Sequence, residues 1–279
     1  MRRNSSNTTQ AFARLASVSS GFFCQICVEC CPRGPCQTGA IDTFSLDSLF
    51  ARAEPIDVST PLLLGILAAA AVLSLPRATW QWFGLFTTLV HELGHAVAAI
   101  LTGRVVHGIR IRRNHSGDAL SSGRGALGTV VSGVMGYPAP AVVGAAQLWC
   151  VFNGYTAIAL FAGGAILVLT LLVIRNLFGV LVVLASAGAS AALWFYATPE
   201  VQGYALLVLG IALLVGSVRG LFAVVAVHTS NRSQLQTSDA YLLFRRTGVP
   251  SPLWLALFAG IIGACVFFAV TAYILPRVS

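Results

Sequence analysis

The sequence predicts an all-α polytopic membrane protein with about six to seven transmembrane helices and a small cytoplasmic β-hairpin. The chain has 279 residues, of which 57% are hydrophobic and only 9% are charged. Soluble domains average about 25% charged residues. The apolar residues form long runs, separated by two polar segments that are rich in arginine. Runs of this kind approach the ~20 residues that a helix needs to cross a bilayer.

The net charge of +8 arises from 17 basic residues, all of them arginine, against nine acidic ones. Few aromatic residues alternate with these arginines, so we expect no nucleic-acid partner. In a membrane protein, excess arginine marks the cytoplasmic segments. Every arginine except Arg77 and Arg277 falls on one side if the chain crosses seven times. This layout predicts a multi-pass protein of the cell membrane with a cytoplasmic N-terminus and the C-terminus outside.

Residues 1–57 differ in composition from residues 58–279, and we predict a disordered tail followed by one membrane-embedded domain. The tail is polar at its start and lacks apolar periodicity, and a mis-assigned start codon would also explain it. Its five cysteines begin like a bacterial ferredoxin motif but lack the final cysteine and proline at the required spacing. A metal site in the tail is therefore the alternative, and its ligands would come from Cys24, Cys27, Cys30, Cys31 and Cys36.

Seven apolar runs are the predicted spans. The first, Leu62–Leu75, ends at Pro76 and is shorter than a bilayer requires. The predicted hairpin follows the second run, because Val105–Arg112 alternates like a strand and turn residues precede a short strand at Ala119–Ser122. The other runs are Trp80–Thr102, Thr129–Phe152, Tyr155–Ile174, Leu177–Ala197, Gln202–Val218 and Pro252–Leu275.

A His-Glu-x-x-His motif lies inside the second run. Residues four apart share one face of a helix, so His91 and His95 can present two imidazoles to one metal ion. Glu92 can then act on a metal-bound water as general base. Ionisable residues inside a membrane span are costly and are functional candidates by default. The motif predicts a zinc site.

A catalytic zinc usually takes a third protein ligand. Asp239 is our predicted third ligand, because it opens a segment just before the last span and lies on the same predicted side as the motif. An N-cap role is the alternative for Asp239. The other polar candidates are His107, His115, Asp118, Asn176, Glu200 and His228.

Six segments carry a resemblance to a known family: Val90–Ala96, Thr102–Arg104, Gly136–Pro140, Arg175–Gly179, Ser238–Ala240 and Thr247–Trp254. They resemble the site-2-protease-like intramembrane zinc metalloproteases, in their small bacterial, peptidase M50B-like branch. The resemblance covers about residues 60–275. In the better-known members the third zinc ligand is an aspartate in a Leu-Asp-Gly sequence, which this chain lacks.

The resemblance implies a helical membrane bundle that hydrolyses peptide bonds of a membrane-protein substrate, with zinc as cofactor. A substrate helix must unwind before attack, and the edge of the first hairpin strand can hold an unwound segment by strand addition. We therefore predict substrate-binding roles for Val105, Ile109 and Ile111, and for Asn176. An ordinary capped hairpin is the alternative for this strand.

Two other classes of function stay open. A non-catalytic membrane scaffold would keep the zinc site, although structural zinc needs no base such as Glu92. A small transporter would show inverted internal repeats, and no such repeats are visible in the sequence. The lipid bilayer is a predicted partner in every case, and the sequence predicts no oligomeric state.

Overall fold

A computed structural model describes residues 52–230 and 232–278, which are mostly helical. The predicted tail, including its cysteine cluster, lies outside the described residues except for its last few positions. Two short strands follow the second helix, and a 3₁₀-helix and a π-helical turn interrupt the later helices. The helices are α1 (Thr60–Ser74), α2 (Arg77–Leu101), α3 (Ala126–Val134), α4 (Ala139–Phe152), α5 (Thr156–Thr170), α6 (Leu177–Tyr196), α7 (Pro199–Thr229), α8 (Asp239–Thr247), α9 (Ser251–Ala269) and α10 (Leu275–Val278).

Within the described residues, four helical segments are long and apolar enough to cross a membrane. They are α2, α6, α7 and the α9–α10 segment, and a fifth results if the bent pair α3 and α4 is one span. The helices α1 and α5 are apolar but have only 15 residues each. The predicted count of six to seven spans is therefore not confirmed, because two of the predicted runs form short helices.

The predicted third span is a broken helix. The axes of α3 and α4 differ by 67°, and the break falls at Gly136, Tyr137 and Pro138. Proline lacks an N–H and its ring clashes with the preceding helical turn, so a helix cannot continue through it without bending. The break brings the backbone at Met135 against α2, where a Cβ on Gly94 would collide with the Met135 carbonyl.

The predicted sixth span ends later than the sequence indicated. The helix α7 has 31 residues and continues through Arg219, beyond Val218, where the apolar run predicts the end of the span. The Arg219 guanidinium donates to the Ser74 and Leu75 carbonyls at 3.0 Å each and lies 4.3 Å from the Trp80 ring centroid. These contacts satisfy the free carbonyls at the end of α1 and explain why an arginine is tolerated there.

The hairpin is confirmed, with β1 (Val105–Ile111) antiparallel to β2 (Gly117–Ser122). The outer edge of β1 is already occupied. The Ile109 N–H donates to the Val173 carbonyl, and the Ile109 carbonyl accepts from the Arg175 N–H, both at 2.8 Å. The Asn176 amide accepts from the Ile111 N–H at 3.1 Å and donates to its carbonyl at 2.7 Å.

The hairpin lies along α2 rather than apart from the helices. The His115 ring at its tip is 6.2 Å from the Trp80 ring at the start of α2, and Gly117 faces Glu92. The buried side chains of Ile109 and Ile111 pack in a cluster with residues of α2, α5 and α6. The hairpin therefore covers most of the length of a candidate span.

Both ends of the described chain lie at one end of the helical bundle. Thr60 Oγ1 donates to the Arg277 carbonyl at 2.9 Å, and the Ala53 N–H donates to the Gly154 carbonyl at 3.0 Å. The predicted topology placed residues before α1 inside and the C-terminus outside. Hydrogen bonds between these segments correct that assignment for the described residues, because directly bonded groups lie on the same side.

The largest apolar core forms where α4 packs on α7. Glycines allow this close approach: a Cβ on Gly144 would collide with the Gly210 carbonyl, and one on Gly210 with the Leu148 side chain. The fully buried Leu148 and Leu207 fill the interface around them. This packing fixes the start of α4, and with it the Gly136–Pro138 break that faces the motif helix.

Candidate metal centre

Two imidazoles and one carboxylate converge between α2 and α8. The Nε2 atoms of His91 and His95 are 3.1 Å apart. The Asp239 Oδ2 atom lies 3.3 Å from the first and 3.2 Å from the second. These three residues form a group that can hold a metal ion. The structure thus brings Asp239, the predicted third ligand, together with the two histidines of the motif.

The spacing of these atoms fits a tetrahedral metal site. Zinc bonds to nitrogen and oxygen of ~2.0–2.1 Å, at tetrahedral angles, place ligand atoms about 3.3–3.4 Å from one another. The observed separations of 3.1–3.3 Å lie close to this value. Three acceptor atoms at such distances repel one another unless a cation or shared protons lie between them. The donor set therefore suits a divalent metal.

The orientation of His95 is set by its second ring nitrogen. His95 Nδ1 lies 2.6 Å from the Ser132 carbonyl, and a carbonyl can only accept, so Nδ1 carries the proton. The Nε2 lone pair then points at Asp239 and His91. A ligating histidine typically donates its other N–H to a carbonyl or carboxylate in this way. Ser132 comes from α3, so the helix break also positions this ligand.

Asp239 reaches the site because it is the first residue of α8. Ser238 precedes it as the N-cap residue, and its hydroxyl lies 2.9 Å from His228 Nε2 at the end of α7. Leu243, one turn further on, packs against Gly133 of α3 and is buried. Burial alone would raise the pKa of the Asp239 carboxyl, but the neighbouring His95 and His91 imidazoles outweigh burial and hold that pKa well below its usual range.

Gly136 leaves room at the centre of the site. A Cβ at this position would lie 2.8 Å from His91 Nε2 and would collide with the His95 ring. Gly136 does not have a positive φ angle, so a glycine is needed here for the absence of a side chain and not for its backbone conformation. The next residue, Tyr137, places its ring 4.7 Å from the His91 ring. The break between α3 and α4 therefore forms one wall of the metal centre.

Glu92 is buried beside the ligands, with 4% of its surface exposed. Its Oε2 atom has no hydrogen-bond partner among the described residues. A buried carboxylate oxygen without a partner is costly. Gly117 of β2 lies against the other oxygen, and a Cβ there would collide with Oε1. The open acceptor of Glu92 is suited to binding a water molecule.

The other polar candidates from the sequence have partners elsewhere. Asp118 pairs with Arg112 at 2.5 Å, and His107 Nε2 lies 2.6 Å from Ser122 Oγ. His115 contacts the start of α2, and Asn176 binds the backbone of β1. His228 contacts the residue before Asp239 rather than the ligand centre. None of these belongs to the three-residue metal-binding group among the described residues.

Two residues of the site, Gly117 and Ser132, were not predicted as its members, and for Gly136 and Tyr137 the sequence favoured a helix kink over a role in the channel. One usable signal was present, because Gly136-Tyr137-Pro138 interrupts an apolar run with residues that break helices. Ser132 contributes a backbone carbonyl, and Gly117 contributes the absence of a side chain. The role of Ser132 leaves no trace in residue type, because every residue has a backbone carbonyl.

The fold and the site define a helical, membrane-type protein with a candidate metal-binding group of two histidines and one aspartate. The family model described as Peptidase M50B-like matches residues 63–270, about three quarters of the chain. The chain belongs to this family, and the predicted resemblance is confirmed. The family implies a membrane metallopeptidase. Comparison with curated proteins and with solved structures gave no match.

Proposed function

We propose that this protein is an intramembrane zinc metallopeptidase that hydrolyses peptide bonds of membrane-protein substrates. The observation that carries the proposal is the convergence of His91, His95 and Asp239 at tetrahedral spacing beside a buried, unpartnered Glu92. The membrane setting follows from the location of the histidines and Glu92 in α2, a candidate span. Membership of the Peptidase M50B-like family supports the same activity.

His91, His95 and Asp239 would hold the zinc, which when bound would polarise the scissile carbonyl and lower the pKa of water. Glu92 acts as the general base: Oε2 accepts a proton from the attacking water as the water oxygen bonds to the carbonyl carbon. Glu92 then delivers that proton to the leaving nitrogen as the C–N bond breaks. The carboxylate ends the cycle unchanged, and one water is consumed for each bond cleaved.

The free edge of the hairpin is β2, which corrects the predicted substrate clamp. Ile109 and Ile111 direct their backbone groups away from β2, towards residues 173–176. In an antiparallel pair, residues opposite such positions also point outward. Their partners in the register are Ala119 and Gly117. The outward N–H and C=O groups of these two residues have no partner among the described residues.

This free edge leads directly to the proposed base. Gly117 lies against the Glu92 carboxylate, so an extended substrate segment paired with Gly117 and Ala119 would pass beside Glu92. Strand addition supplies backbone hydrogen bonds to any sequence that can unwind. The substrate-binding role predicted for β1 therefore moves to β2. Asn176 holds the hairpin in place instead of contacting substrate.

The test is proteolysis by the purified protein in detergent or liposomes, with a panel of single-span membrane proteins as substrates. We expect wild-type protein to cleave at least one of them and Glu92→Gln to cleave none while it keeps its zinc. Glu200→Gln is the matched control, because Glu200 is exposed at the start of α7, far from α2 in the chain, and should behave like the wild type. Cleavage by Glu92→Gln at the wild-type rate would contradict the proposal.

The same experiment separates the two other classes of function. If the protein is a zinc-binding scaffold, the wild type and Glu92→Gln should both contain zinc and neither should cleave. If it is a transporter, neither protein should contain stoichiometric zinc, and His91→Ala should have the same metal content as the wild type. Zinc analysis of the His91→Ala variant beside the cleavage assay therefore gives each class a different result.

A further inference from the structure

Tyr137 is held between the metal centre and the last long helix. One side of its ring meets the His91 ring edge to face, with centroids 4.7 Å apart and planes at 87°. The other side stacks on Phe258 of α9, with centroids 5.6 Å apart and planes at 25°. Phe258 is fully buried. Two aromatic contacts of this kind fix both the position and the plane of the ring.

The hydroxyl of this fixed ring is not used by the protein. No hydrogen bond to it is found among the described residues, and the side chain is half-buried. Tyr137 directly follows Gly136, which lies against the His91 and His95 nitrogens, and its own ring is 4.7 Å from the His91 ring. A rigid phenol with a free O–H therefore lies beside the proposed metal centre.

We propose that Tyr137 is a catalytic residue whose hydroxyl donates a hydrogen bond to the substrate oxyanion. The inference rests on the proposed function. When water adds to the scissile carbonyl, the C=O π electrons move to oxygen and an oxyanion forms. Tyr137 stabilises that charge through its O–H and keeps its proton throughout. A preorganised donor of this type acts on the transition state more strongly than on the substrate.

Other donors near the site are already engaged. The side-chain oxygen and nitrogen of Asn176 are both bonded to the Ile111 backbone, and the His95 N–H is bonded to the Ser132 carbonyl. Arg104 is buried, but its guanidinium is bonded to the end of β2 and to Thr129. Unlike these three donors, the Tyr137 hydroxyl is left for substrate.

Tyr137→Phe is the informative change, because phenylalanine keeps both ring contacts and removes only the O–H. Loss of one oxyanion donor typically lowers kcat about 10²–10³-fold, and we expect that loss here. We expect KM, zinc content and melting temperature to stay at wild-type values. Tyr155→Phe is the matched control, since Tyr155 stacks on Trp149 beyond the opposite end of α4 and should lose nothing.

A binding measurement gives a readout that does not depend on turnover. A peptide phosphinate carries a tetrahedral, anionic centre that mimics the intermediate, so it should use the same donor. We expect Tyr137→Phe to raise the Kd of the phosphinate at least tenfold, and Tyr155→Phe to leave it unchanged. A purely structural role for Tyr137 predicts equal Kd values, because the ring contacts are kept.

The outcomes separate this inference from the proposed function. Equal kcat or equal phosphinate affinity for wild type and Tyr137→Phe would show that the role of Tyr137 is wrong, while wild-type cleavage would still support the peptidase. A wild-type protein that neither cleaves nor binds the phosphinate would overturn both. A loss of kcat and affinity at constant zinc content supports the inference.

Discussion

His95 and Ser132 bind each other through two hydrogen bonds that run in opposite directions. The His95 ring donates from Nδ1 to the Ser132 carbonyl at 2.6 Å, and the Ser132 hydroxyl donates to the His95 carbonyl at 2.9 Å. The pair ties α2 to α3 and fixes the histidine tautomer. It also separates two tasks, because the carbonyl orients the metal ligand whereas the hydroxyl joins the helices.

This separation predicts the effect of Ser132→Ala. The substitution removes the hydroxyl but keeps the carbonyl, so zinc content should remain at the wild-type level. The free energy of unfolding should fall by about 0.6 kcal/mol and by no more than roughly 1.7 kcal/mol, the range for interhelical hydrogen bonds in membranes. Thermal unfolding in detergent and metal analysis measure the two effects. Loss of zinc from Ser132→Ala would contradict the division of tasks.

Gly117→Ala should impair catalysis without releasing zinc. The new methyl group would collide with the Glu92 carboxylate and displace the general base, whose contribution is typically 10²–10⁴-fold in rate. We expect kcat to fall within that range at unchanged zinc content. Gly163→Ala is the control, since no atom lies within 4 Å of its added Cβ. Full activity of Gly117→Ala would mean that Glu92 is not held by β2.

Gly136→Ala should have the opposite signature and prevent metal binding. Its methyl group would occupy the space between the His91 and His95 nitrogens, where a metal ion must lie. We expect zinc content to fall to background, together with activity. Gly260→Ala adds the same atom in open space and should keep its zinc. A Gly136→Ala protein with one zinc per chain would place the metal elsewhere.

Arg219→Gln should destabilise the protein and leave the metal centre intact. The change removes the charged donor to the Ser74 and Leu75 carbonyls and the contact with Trp80. Hydrogen bonds to charged groups contribute about 1.5–3 kcal/mol, and we expect a loss of that order in unfolding free energy. Arg77→Gln, at an exposed arginine, is the control. Equal stability of the two variants would show that Arg219 does not anchor α1.

The contacts at the chain ends make a prediction about sidedness. Ile56 packs against Gly203 near the start of α7, and Ala53 bonds to Gly154. Single cysteines at Glu54 and Glu200, in a background without other cysteines, should therefore react with an impermeant reagent from the same side of the membrane. Reaction from opposite sides would restore the topology first predicted from the arginines.

Local patterns in the sequence predicted the parts of the site that depend on spacing. The four-residue interval placed His91 and His95 on one face of α2, and alternation located both hairpin strands within one or two residues. Asp239 was selected because it opens a segment just before the last span, on the same predicted side as the motif. That choice agrees with the observed distances, although zinc ligation itself stays a prediction.

Long-range pairing explains what the sequence could not predict. The amide of Asn176 closes the edge of β1, 65 residues away in the chain, and no local pattern encodes that partner. The sequence predicts that the sixth span ends before Arg219, because the carbonyls that accept its hydrogen bonds lie on α1 and at its end, far away in the chain. The order of crossings failed for a similar reason, since arginine counts report sidedness only when every apolar run is a full span.

The zinc content of purified Asp239→Ala, compared with wild type, tests the central claim most directly. Wild-type protein should carry about one zinc per chain. Asp239→Ala should lose it, because two imidazoles alone bind zinc much more weakly than a complete three-residue site. Asp118→Ala is the matched control, since Asp118 pairs with Arg112 on the hairpin, and it should keep its zinc. A wild-type protein without zinc, or an Asp239→Ala protein with full occupancy, would contradict the account.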